Sequence, residues 1–142
     1  MDFARALRSR PGRRQRGDAI VELALLVPIL VLMLCGVLEL GRVVDAWIVV
    51  NNAAREGARE AALAYPDSAT LSTAQSATLD YLTRGFAPRG DISAPSVPNV
   101  QLTSDTVQVT AEADVQIYTP LFQTMLGGQV VHVQAVAAMR RQ

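Results

Sequence analysis

From Leu23 to Leu38 no side chain is charged, and the apolar run widens to Ile20–Leu40 once Glu22 and Glu39 are admitted at its ends. A helix of about 20 residues crosses a hydrocarbon core of roughly 30 Å, so the run predicts a transmembrane helix. Pro28 and Gly36 would weaken a helix in water but are tolerated in a bilayer. From Arg42 to about Tyr65 helical character persists, and Pro66 stops it. Small residues recur there at three- and four-residue spacing: Ala46, Ala53, Ala54, Gly57, Ala58, Ala61 and Ala62. Rows of this kind let backbones approach closely, which suits packing against neighbouring stems or seating on the chain's own sheet.

A second helix is expected over 68–84, with Ser68 or Thr70 as N-cap and Gly85 past its end. Residues 85–99, with Gly85, Pro88, Gly90, Pro95 and Pro98, read as an exposed loop. Val107, Val109, Ala111, Ala113, Val115 and Ile117 then alternate with polar residues, the pattern of a half-buried strand. Val97–Leu102 is a shorter strand, joined to it by Ser104-Asp105, and Val131, Val133, Ala135, Ala137 and Met139 mark another after Gly127-Gly128. The expected class is therefore α+β. A long N-terminal transmembrane helix continues into a small exported domain with a second helix and a three- to four-stranded antiparallel sheet. Its parts are a basic leader over 1–17, a span over 18–41 and an exported domain over 42–142, the last divided into a helix extension (42–65), the second helix (68–84) and the sheet (97–140).

Charge fixes the direction. All thirteen basic residues are arginines, and six of them (Arg5, Arg8, Arg10, Arg13, Arg14 and Arg16) precede Gly17 against the single acid Asp2. The positive-inside rule puts this leader in the cytoplasm and the acidic remainder outside. A nucleic-acid-binding tail is seldom joined directly to so apolar a stretch, so nucleic acid is not an expected partner; membrane lipid is. A cleaved secretory signal, with Val44-Asp45-Ala46 as its small-residue site, is the competing reading. The apolar run exceeds the usual core of about 7–15 residues, and helical sequence continues through that site.

Candidate chemistry is sparse. The one cysteine excludes an internal disulfide and a cysteine-based metal site, and Cys35 reads as apolar filler. His132, between Val131 and Val133, reads as a solvent-side strand residue, as do Glu112 and Asp114. Arg89-Gly90-Asp91 spells an adhesion tripeptide that recurs at Arg16-Gly17-Asp18 inside the leader, so it reads as a turn. No catalytic constellation, phosphate-cradling loop, cofactor site or metal site is expected, and the chain is not read as an enzyme.

Glu22 is the informative residue. A carboxylate at the centre of a membrane helix costs on the order of 2–3 kcal/mol, less toward the edge, and tends to mark function. It either snorkels to the interface or serves a partner. Arg13-Arg14-Gln15-Arg16-Gly17 precedes Asp18-Ala19-Ile20-Val21-Glu22, which resembles a type IV prepilin processing site: a basic leader, a glycine, and a glutamate at the fifth position after the cut. Cleavage after Gly17 would free the α-amino group of Asp18. Glu22 of one subunit pairing with that amine on a neighbour would offset the cost of a carboxylate in an apolar bundle.

Three blocks extend the resemblance. Ala19-Ile20-Val21-Glu22-Leu23-Ala24-Leu25-Leu26-Val27-Pro28 is similar to the opening of the TadE-like family, the pseudopilins of the tight-adherence (Tad/Flp) pilus system. Gly36-Val37-Leu38-Glu39-Leu40-Gly41-Arg42 resembles that family's glycine, acid, glycine, arginine stretch. Asn52-Ala53-Ala54-Arg55-Glu56-Gly57-Ala58-Arg59 matches its "AAREGAR" signature. Leu23 departs from it, standing where an aromatic residue commonly follows the glutamate. The resemblance implies a pilin-like fold and a minor pilin or pseudopilin of the bacterial inner membrane. It further implies processing by a prepilin peptidase, partnership with other pilins and an inner-membrane assembly platform, and a role in pilus assembly, adhesion and biofilm formation. The alternative is an uncleaved single-pass scaffold or binding protein of a secretion or pilus apparatus.

Overall fold

The computed structural model describes residues 14–64, 70–87, 89–93 and 98–140, with side chains from Gly17 onward. The leader through Arg13, Tyr65, the stop at Pro66, the Ser68 cap, Pro88, Pro95 and Val97 lie outside the described residues. The chain divides into two compact units, the first through Val37 and the second from Leu38 onward.

Within the first unit the chain is one helical segment, the start of α1 (Arg14–Leu63), with Pro28 inside it. The apolar side chains from Ile20 to Val37 are largely exposed on this segment. The helix contains a window of mean hydropathy 2.7, none of it buried, so it is long and apolar enough to cross a membrane. Aliphatic side chains left uncovered in such number need an apolar solvent or partner, because burying each one is favourable by about 1.5–3 kcal/mol.

The second unit is built on the rest of α1. Its remaining elements are α2 (Thr70–Phe86), β1 (Ile92–Ser93), β2 (Asn99–Leu102), β3 (Thr106–Gln116), α3 (Pro120–Leu126) and β4 (Val130–Arg140). β3 is the central strand of a four-stranded antiparallel sheet. β4 lines one edge from Thr106↔Arg140 to Gln116↔Val130. β2 and β1 share the other edge, β2 at Asn99↔Thr110 to Leu102↔Val107 and β1 at Ile92↔Val115. The α+β class read from the hydrophobic pattern is the observed one. All six inward positions expected from Val107 to Ile117 are buried, and Val133 and Ala135 of β4 face the same core.

Two helices cover that face of the sheet. α2 buries Thr70, Ala74, Thr78, Leu82 and Phe86, a strict four-residue row. The small residues of α1 supply the matching side. Ala46, Val50, Ala53 and Ala54 join Leu82, Phe86 and the β3–β4 residues in one apolar cluster, while Ala58 and Ala61 join Ala74, Val107 and Val109 in the other. Gly57 is the tightest point, since a Cβ there would lie 1.9 Å from Thr78 Oγ1 and 3.1 Å from the Ala74 carbonyl oxygen. The Thr78 hydroxyl is buried and donates to that same carbonyl at 2.7 Å, which satisfies it within its own helix.

Three details depart from the sequence reading. α2 runs on through Gly85, so this glycine is not past the helix end; its missing side chain makes room for Val49, whose Cγ1 would lie 2.5 Å from a Cβ. The apolar row reaching Phe86 carries the helix past the residue expected to stop it. The loop expected over 85–99 contains β1, which pairs with Asp114 and Val115. The segment expected to be sheet throughout 97–140 is interrupted by α3, started by Pro120 and closed by Gly127 at φ 75°.

Candidate functional site

The expected processing residues lie at the start of α1. Gly17 and Asp18 are exposed, and the space where a Cβ would stand on Gly17 is empty. The bond between them is in the first turn, where half the helix's own hydrogen bonds are missing and fraying is easiest. Glu22 is exposed one turn further on, and no described side chain pairs with it.

The signature residues of α1 in the second unit fall into two groups by face. Ala53, Ala54, Gly57, Ala58 and Ala61 are buried in the unit's own core, and Ala62 is half-buried. The small-residue rows are thus occupied within the chain, by α2 and the sheet. Arg55, Glu56, Arg59 and Glu60 lie on the open side. There Arg59 reaches Glu56 at 2.7 Å and Glu60 at 2.6 Å, exposed pairs that add little stability.

Among the described residues the most highly connected polar group is Arg42. Its Nη1 donates to Glu39 Oε2 at 2.8 Å, its Nε to Asp91 Oδ2 at 2.9 Å and its Nη2 to the Gln116 carbonyl at 3.0 Å, with a further bond from Nη2 to Asp91. The guanidinium also lies over the Tyr118 ring, 4.5 Å from its centroid. Glu39 completes the clamp from the other oxygen. Its Oε1 accepts from the Tyr118 N–H at 2.9 Å and from the Thr119 N–H and hydroxyl, both at 3.1 Å. One turn of α1 therefore ties together the β1 approach, the end of β3 and the start of α3.

The electrostatics of the clamp are legible at Asp91. Burial pushes its carboxyl up, but the hydrogen bonds from Arg42, its own backbone N–H, and the charges of Arg42 and Arg89 together hold it below its ordinary value. Arg89 in turn pairs with Asp45 on α1. Both charges of Arg89-Gly90-Asp91 are engaged within the chain, so the tripeptide is a latch onto α1 and not a free recognition loop.

Sequence reasoning read Asp91 only as part of a turn and did not single out Tyr118, because each meets Arg42 only through the folded topology. The one available signal was Glu39 and Arg42 three residues apart just where the apolar run ends. His132 is exposed on β4, with Nδ1 2.5 Å from Asp114 Oδ1, and Glu112 accepts from Gln134 at 3.0 Å. Both are cross-strand surface pairs.

No curated protein and no solved structure matches the chain. The model of the family described as TadE-like protein matches residues 17–59. That segment takes in Glu22, Glu39, Arg42 and the small-residue rows through Ala58, and over it the chain is similar to the TadE-like family that the signature blocks resemble.

Proposed function

We propose that this chain is a pseudopilin or minor pilin of a Tad/Flp pilus system. It inserts in the inner membrane with its leader in the cytoplasm and is cut after Gly17 by a prepilin peptidase. It then passes into or beneath a pilus, where it assists assembly and so surface adhesion and biofilm formation. The carrying observation is the TadE-like segment, which coincides with an uncovered apolar helix bearing one unpaired glutamate near its start. Such a helix is poorly solvated alone. A sister helix presenting the freed amine of Asp18 relieves both the apolar exposure and the carboxylate.

The test uses the full chain produced in cells with and without an active prepilin peptidase, followed by intact-mass measurement. A mature N-terminus at Asp18 that depends on the peptidase is expected. An intact leader under both conditions would instead make the protein a permanent single-pass scaffold. In the same cells Glu22→Ala is expected to leave cleavage in place and reduce incorporation into sheared filaments severalfold, since it removes the pairing partner and not the cut site. Incorporation at the unsubstituted level would eliminate the pairing role.

A further inference from the structure

α3 leaves most of its apolar side uncovered. Leu121, Phe122, Met125 and Leu126 fall on one side of it, and Gln123 and Thr124 on the other. On the polar side Gln123 Nε2 donates to the Ile117 carbonyl at 2.6 Å, while the exposed Thr124 hydroxyl donates within α3 to the Pro120 carbonyl at 2.9 Å. Much of the apolar side is left open, with Met125 72%, Leu126 63% and Leu121 45% exposed, Phe122 half-buried and no residue of α3 buried. Tyr118, just before it, is 60% exposed. Between Asp114 and His132 the sequence has no charged side chain at all.

The position of this element in the fold identifies what covers it. The two residues that lead into it are bonded to Glu39, the acid that closes the apolar run of α1, through the Tyr118 and Thr119 N–H groups. The level at which Glu39 leaves the hydrocarbon is therefore the level at which α3 begins. We propose that α3, with Tyr118, is a membrane-interface foot: its apolar side dips into the outer boundary of the bilayer while Tyr118 sits at headgroup depth. An uncharged, apolar-faced helix next to the exit of a transmembrane segment meets no headgroup repulsion there. The clamp of Glu39 and Arg42 then sets the height of the domain above the lipid. This inference rests on the membrane reading of α1 but not on cleavage or on pilus assembly.

The experiment places single nitroxide labels in the full chain, in a Cys35→Ser background, reconstituted sparsely in phosphatidylcholine–phosphatidylglycerol bilayers. Val31→Cys reports on the span, Met125→Cys on α3, and Ser76→Cys, on the exposed side of α2, on water. The ratio of oxygen to nickel-chelate accessibility is expected to be severalfold higher at Met125 than at Ser76, and higher again at Val31. A Met125 ratio equal to that of Ser76, with Val31 still in lipid, overturns the foot while leaving the span intact. A Val31 ratio equal to that of Ser76 overturns the membrane reading and the foot with it. Protection of Met125 that appears only at high protein density, with spin–spin broadening, overturns it too, because a second copy would then be the covering surface.

Discussion

Gly57→Ala in the full chain is expected to destabilise the second unit by about 2 kcal/mol, although alanine is the better helix former by about 1 kcal/mol. The added Cβ would lie 1.9 Å from Thr78 Oγ1 and 3.1 Å from the Ala74 carbonyl oxygen, and Thr78 is fully buried. Rotating Thr78 offers no escape. Any rotation gives up its buried hydrogen bond to the Ala74 carbonyl, and Thr78 Cβ itself lies 3.2 Å away. The helices must separate, loosening both apolar clusters. Gly41→Ala is the matched control: the same helix, a glycine with nothing within 4 Å, and an expected change between zero and a gain of about 1 kcal/mol. Gly85→Ala should fall between them, because its obstacle is the half-buried Val49 side chain, which has open surface to turn toward. Thermal unfolding in detergent, followed by emission of the sole tryptophan, Trp47 on α1, measures all three. Adding Thr78→Ala to Gly57→Ala is expected to recover part of the loss, a non-additivity that marks contact between the two positions. Equal stability of the Gly57 and Gly41 variants would show that this crossing is not close-packed.

The same glycine shows how far the sequence alone could be read. The small-residue rows were evident, because repetition every three or four residues is a one-dimensional pattern. Whether they served this chain or a neighbour was open until the partner surface, the four-residue row of α2, was seen to fill them. β3 was legible for the same reason: strict alternation over its length can be satisfied only by one wet and one dry face. α3 and β1 were not legible. A helix of 7 residues and a strand of 2 are too short to establish a period, and β1 exists only because β3 is there to pair with. Nothing in the one-dimensional pattern says which side of Leu121, Phe122, Met125 and Leu126 faces outward, because apolar residues ordinarily face inward. Gly85 misled for a related reason. A glycine near a helix end is usually a terminator, and only the position of Val49 reveals one used for close approach.

Asp91 lay beyond sequence reasoning because its partner is 49 residues away, and this contact is the basis of the second large effect. Arg42→Ala is expected to cost about 2–3 kcal/mol, somewhat below the 3–5 kcal/mol of breaking a fully buried pair, because the Arg42 side chain retains 26% exposure. The loss has a specific origin. Glu39 and Asp91, 13% and 17% exposed in the intact clamp, are left with no cation between them, and the Gln116 carbonyl loses a donor. Arg42→Lys should restore less than half, since one ammonium cannot divide itself between two carboxylates and a carbonyl or lie flat on the Tyr118 ring. The pH dependence separates a charge clamp from simple packing. The Asp91 carboxyl is held below its ordinary value in the folded protein, so its contribution is complete above the unfolded value, about 3.9, and is lost as pH falls through the folded one. The unsubstituted chain is therefore expected to lose stability as acid is added below about pH 4. With Arg42 gone, burial, which opposes ionisation, is no longer overcome by the guanidinium, and that acid-side loss should shrink. An Arg42→Ala variant that loses stability at neutral pH yet keeps the full acid slope would mean that the arginine packs there without holding the carboxylates. The same clamp carries α3, so the proposed foot would be loosened with it. In the labelled protein, the Met125 accessibility ratio should then drop toward that of Ser76 while Val31 stays unchanged.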